Sequence, residues 1–157
     1  MADFEHRDER EFVFGVDTSS GDNRYFSVEA QASLDQLRAA WHRSIYYTVS
    51  RLQSKTFACN VKDRPSGLVF DIKHGIGLYD IHKKKYAWRY KFSMLKSSCD
   101  DGKMHIRLAF DNRSTPPELK IVDLDCTELY PLIYTLHSFM LARVISVDQN
   151  FVDKNKF

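Results

Sequence analysis

Between Lys55 and Leu124 the chain alternates short strand-like apolar patterns with turn-forming clusters, and one long helical apolar period follows. Leu68, Phe70 and Ile72 alternate with Val69, Asp71 and Lys73, and Tyr86, Trp88 and Tyr90 alternate with Ala87 and Arg89. Period two is the signature of a strand with one face in a core. Lys55 to Val61 reads as another strand, and Gly75 and Gly77 punctuate the chain before Leu78-Tyr79-Asp80-Ile81. His82-Lys83-Lys84-Lys85 is a turn or a sheet edge. Asp100-Asp101-Gly102 makes a tight turn into Met104, Ile106, Leu108 and Phe110, with His105, Arg107 and Ala109 expected to face away. Asp111 to Pro117 must be loop, because consecutive prolines cannot donate ladder hydrogen bonds. Leu119 to Leu124 is the last strand.

Asp125 and Glu128 then offer a helix cap, and Leu129, Leu132, Ile133, Leu136, Phe139, Met140 and Val144 mark one apolar face of a long helix. Pro131 requires the regular helix to begin near it or to bend there. Six or seven antiparallel strands followed by one helix define an α+β class: a bent antiparallel β-barrel of the pleckstrin-homology (PH) or phosphotyrosine-binding (PTB) type. Its C-terminal helix plugs one open end of the sheet, so the apolar face of that helix has to be continuous.

Residues 1–52 are different. Phe12, Phe14 and Val16 alternate, Asp17 to Asn23 is turn-rich, and Tyr25-Phe26-Ser27-Val28 resumes an extended pattern, which makes a hairpin. Ser33 and Gln36 form a capping box before Leu34, Leu37, Trp41, Ile45, Thr48 and Leu52, an amphipathic helix. A hairpin and one helix cannot bury a core of their own. The helix face is therefore expected to be covered by the rest of the chain, by a missing half-domain or by another copy, so self-association through this helix is a further expectation. The division expected is residues 1–52, a PH-like module over 53–148, and a polar C-terminal tail over 149–157.

Chemistry is constrained mainly by what is missing. Twenty-three basic against 21 acidic side chains leave too weak a net field to suggest nucleic-acid binding. Cys59, Cys99 and Cys126 show no CxxC or Cys/His metal spacing, which points to a reduced, cytosolic setting. The six histidines never fall at a metal-ligand spacing, and no phosphate loop, nucleophile elbow or paired catalytic carboxylates occur, so neither cofactor, metal nor catalysis is expected. Cys99 beside Asp100 and Asp101 lacks the electropositive surroundings a reactive thiolate needs. No apolar run approaches the roughly 18–20 residues of a membrane span, and the polar, acidic N-terminus is not that of a signal peptide. His82, Lys83, Lys84, Lys85, Arg89 and Lys91 form the one basic concentration, of which Lys83, Lys84, Lys85 and Arg89 suit anionic phospholipid head groups, while lysines there also serve to keep a sheet edge from pairing. Trp41 and Tyr46 are aromatic interface candidates, with core packing the commoner fate for Trp41. Of Tyr46 and Tyr47, only one can face inward.

Three segments carry a family resemblance: Arg64-Pro65-Ser66-Gly67-Leu68, Phe92-Ser93-Met94-Leu95-Lys96-Ser97-Ser98-Cys99-Asp100-Asp101-Gly102, and His137-Ser138-Phe139-Met140-Leu141-Ala142-Arg143-Val144. Together they resemble the second PH region and following C-terminal segment of syntrophins. Tyr25-Phe26-Ser27-Val28-Glu29 and the helix containing Trp41 are similar to the last strands and helix of a PH domain, and the first such domain of syntrophins is split by an inserted PDZ domain. No GLGF-type PDZ loop occurs, since Gly75-Ile76-Gly77-Leu78 lies within the strand run. The resemblance implies a non-catalytic scaffold that docks on dystrophin or dystrobrevin at the cytoplasmic face of the plasma membrane. Trp41, Tyr46, Met94 and Phe139 are the candidate protein-contact residues. The alternatives are a phosphoinositide-binding module, or a PTB-type groove between the strand near Met94 and the C-terminal helix.

Overall fold

The computed structural model describes residues 10–16, 22–111 and 118–148. The Asp17 to Asn23 loop in its greater part, nearly all of the Asp111 to Pro117 loop and the polar tail lie outside the described residues.

Strands β1 (Phe12–Val16) and β2 (Arg24–Val28) pair as the expected hairpin, and α1 (Gln31–Leu52) follows. The helix begins before the proposed capping box: Ala30 is the N-cap without a side-chain bond, and the Ser33 and Leu34 amides donate to its carbonyl. Ala30, Gln31 and Ala32 have no breaker among them, so the helix extends back through them and leaves Ser33 and Gln36 inside.

Seven further strands make one antiparallel sheet: β3 (Ser54–Val61), β4 (Arg64–Asp71), β5 (Gly75–Asp80), β6 (Lys85–Tyr90), β7 (Leu95–Asp100), β8 (His105–Asp111) and β9 (Leu119–Asp125). Their spatial order is β6-β5-β4-β3-β9-β8-β7. The join between β3 and β9 is a single pair, Asn60 with Asp125, whereas every other neighbouring pair runs in extended register. The sheet bends there and folds over itself. Tyr90 of β6 consequently stacks on Phe110 of β8 at 4.6 Å between ring centres, and Trp88 meets the same ring at 5.4 Å.

Gly75 and Gly77 belong to β5 rather than to a preceding break. At Gly75, φ is +93° and a Cβ would stand 2.2 Å from the Tyr90 carbonyl oxygen, so only glycine lets β5 start this close to the end of β6. Strand β7 was not evident from Lys96-Ser97-Ser98-Cys99, because it is an edge strand exposed on both faces and shows no apolar alternation. Ala109 is buried instead of facing out: β8 is an interior strand, and this small side chain lies between its register partners Ser97 and Ile121.

Helix α2 (Leu129–Val147) closes the bent sheet with Leu129, Leu132, Leu136, Phe139, Ala142 and Ile145 buried. Glu128 is its N-cap without a side-chain bond, and the Asp125 carboxylate that was expected to cap it is bonded to His105 instead. Pro131 is the third helical residue, where an amide has no intrahelical acceptor, and Leu132 makes a 2.9 Å bond to the Glu128 carbonyl, so no bend is needed. Phe139 is 1% exposed, its ring 6.1 Å from Phe70 and 6.2 Å from Phe92. The expectation that Phe139 contacts a partner is thereby corrected: helical periodicity points it down into the barrel mouth. Val49 of α1 joins the same core, with Ile45 and Tyr46 packed against it. Phe139→Ala should lower unfolding free energy by about 3–5 kcal/mol, measured by urea denaturation, because it empties a site that rigid neighbours cannot refill.

Candidate interaction surfaces

Helix α1 uses its apolar stripe unevenly. Its C-terminal half packs through Ile45, Tyr46 and Val49, whereas Leu37 and Trp41 toward its start are exposed, Trp41 at 56%. Core packing of Trp41 is thus corrected: the core-facing residues of α1 are Ile45, Tyr46 and Val49, and Trp41 stays more than half exposed beside α2 and the hairpin. Trp41 forms a shared wall between two grooves. One, of about 260 Å³, runs between the helices along Ile45, Thr48, Thr135 and Ser138. The other, of about 460 Å³, lies under the hairpin against Phe14, Leu34, Leu37 and Tyr134. In this second groove Arg38 Nη1 is shut from solvent with no hydrogen-bond partner among the described residues, and the Asp35 carboxylate stands 4.0 Å away. Of the paired tyrosines, Tyr46 turns toward the core and Tyr47 is the exposed one, at 64%. Met94 is half-buried at the end of a short 3-10 turn, Phe92–Met94, just before β7. The outer edge of β7 ends the strand order.

The lysines sort by sheet end. Antiparallel pairing puts the two-residue turn Lys62-Asp63 and the turn 81–84 at one end of the sheet, so Lys62, Lys83, Lys84 and Lys85 gather there from two hairpins. Asp80 shapes the second turn by accepting the Lys83 amide at 2.9 Å, and that bond holds its carboxyl below the usual range. Arg89 is drawn away from this group: its guanidinium lies 3.6 Å over the Tyr86 ring, which itself meets Tyr79 edge-on.

Several side chains capable of chemistry are engaged in structure. Burial pushes the Cys59 thiol up to about 11, and burial likewise raises Cys126, which keeps both protonated. Asp101 accepts the amides of Lys103, Met104 and His105, and Asp100 that of Gly102, so both carboxylates near Cys99 shape a turn. Among the described residues no three His, Cys, Asp or Glu side chains are grouped to hold a metal ion, and no helix is long and apolar enough to cross a membrane.

Sequence reasoning missed one polar group. In register, His105 faces Asp125 and Arg107 faces Asp123. The His105 Nδ1 lies 2.9 Å from Asp125, its Nε2 lies 3.4 Å from Asp123, and Arg107 Nε donates to Asp123 at 2.6 Å. The residues are far apart in sequence, and the alternation of β8 and β9 marks them only as outward-facing.

Residues 50–149 match the sequence model of the family described as the syntrophin C-terminal PH domain. The chain is 36% identical to gamma-1-syntrophin of Homo sapiens over 152 residues, which is 97% of this chain and 29% of that protein. It is 33% identical to gamma-2-syntrophin of Mus musculus over 153 residues, 98% of this chain and 28% of that protein. The chain therefore spans under a third of the length of the curated relatives it matches.

The hydrogen bond that the His105 ring donates to the Asp125 carboxylate, then the charges of Asp125 and Asp123, raise the His105 pKa above its ordinary value. A group raised on folding contributes stability that is fully present below its unfolded pKa of about 6.5 and is lost as pH climbs through the folded value. The His105 imidazole should accordingly titrate above about 6.5 by NMR, and Asp125→Asn should bring the midpoint down toward that figure.

Proposed function

Because the chain belongs to the syntrophin family, we propose that it is a non-catalytic scaffold module that docks dystrophin- or dystrobrevin-type cytoskeletal proteins at the cytoplasmic face of the plasma membrane. Family membership carries this reading. The strip of Leu37, Trp41 and Tyr134 supports it physically: exposed aromatic and aliphatic side chains, set between two grooves, have the composition of an interface centre.

Residues 1–52 are read as the C-terminal half of a split PH domain, with the other half supplied by a longer protein. One observation favours that reading: Leu37 and Trp41, on the apolar stripe in the first half of α1, are left exposed. Pull-down with dystrophin-type C-terminal helical segments should retain them on the wild-type chain. Trp41→Ala should weaken that capture, or any self-association, with little change in melting temperature, since so exposed a side chain contributes modestly to the core. Absence of binding by a folded sample would sink the docking reading.

The gathering of Lys62, Lys83, Lys84 and Lys85 at one sheet end favours a second, compatible activity, attraction to phosphoinositide head groups, at about 1 kcal/mol per lysine near an anionic surface. Liposome sedimentation should show binding that rises with phosphoinositide content and falls when Lys83, Lys84 and Lys85 are changed together to Ala. Indifference to either change removes this reading.

A further inference from the structure

At the opposite end of the sheet, the β4–β5 turn, the link from β6 to β7 and the last turns of α2 enclose a groove of about 790 Å³. Its floor is apolar: buried Phe92, the partly buried Ile72 and Met140, and then Val144 and Val147, the latter 77% exposed. Its rim is basic. Lys73, Lys91 and Arg143 come from three separate elements, all are exposed, and among the described residues none of them pairs with a carboxylate. Among the described residues Asp148 is the single acidic one lining the groove, and it already has an interaction of its own.

We propose that this groove docks an acidic, amphipathic segment of a partner protein, whose apolar side chains enter the trough while its carboxylates meet Lys73, Lys91 and Arg143. Complementary charge selects the sign of the partner, and the apolar floor supplies the area that charge alone does not. The negative end of the α2 dipole opposes an anion here, but its effect fades within the last turn, and three cations outweigh it. Concavity favours a peptide over a bilayer, because a flat membrane surface rides on the rim and leaves the floor unfilled. The following residues 149–157 are poor occupants, since they bring Lys154 and Lys156 against Asp153 toward a basic rim. The groove lies away from both the Trp41 strip and the turn lysines, so this inference does not rest on the dystrophin-type or lipid readings.

The test is fluorescence anisotropy on the full chain with a fluorescein-labelled peptide alternating Glu with Leu and Phe, beside the same peptide with Lys for Glu. The acidic peptide should bind saturably and the basic one should not. Lys73→Glu, Lys91→Glu and Arg143→Glu should each weaken binding about tenfold, with unchanged circular dichroism, and Val144→Asp should weaken it as well. Changing Lys83, Lys84 and Lys85 to Ala should leave it unaltered. Equal binding of both peptides, indifference to the three reversals, or loss in the turn-lysine variant would overturn the proposal. So would about tenfold tighter binding by a chain ending at Asp148, which would make the groove the berth of its own tail. Phosphatidylserine vesicles that bind with the same dependence on the three reversals, without peptide binding, would likewise replace a protein partner by a membrane.

Discussion

Everything in this domain depends on one burial: the apolar face of α2 closing the mouth of the folded-over sheet. Phe139 meets Phe70 from one half of the sheet and Phe92 from the link between halves, and Phe110 is stacked by Tyr90 across the fold. Without the helix, the two layers have little to hold them at their bend, where β3 and β9 share a single pair. The hydrophobic gain on covering such rings, about 1.5–3 kcal/mol per large side chain, is what offsets so thin a join.

That burial also determines which surfaces remain. With α2 seated, α1 packs against it, and the core takes in only the later turns of α1. Val49 enters the core while Trp41, about two turns earlier, is left in solvent. The same seating carries the end of α2 to the β4–β5 turn, so Arg143 and Val144 complete a groove that neither strand nor helix would make alone. The interaction surfaces are the places where closure of the core runs out.

Cations at the two ends of the sheet share a chemistry and differ in their setting. Lys62, Lys83 and Lys84 stand on hairpin turns and Lys85 opens β6, an exposed setting that suits contact with a flat anionic surface. Lys73, Lys91 and Arg143 rim a concave apolar trough, which suits a side chain of a folded or folding partner. Shape, more than charge, distinguishes them, and shape follows from whether α2 lies beside the turn.

Much of the fold was legible from residue order. Period two in Leu68-Val69-Phe70, period 3.6 from Leu129 to Val144, and the turn chemistry of Asp101 are local, and each reports the backbone state and inward face of its own segment. The syntrophin resemblance rested on such segments too. The exceptions have a common cause. Strand β7 is exposed on both faces and so has no pattern. The His105, Asp123 and Asp125 group is assembled by register, and the exposure of Trp41 depends on which turns of α1 the packing against α2 and the hairpin covers. Sequence by itself determined the elements and the composition of the core, because burial imposes periodicity on each element separately. Only the tertiary structure decided which outward side chains meet, since antiparallel pairing and helix crossing join residues whose spacing along the chain carries no record of contact.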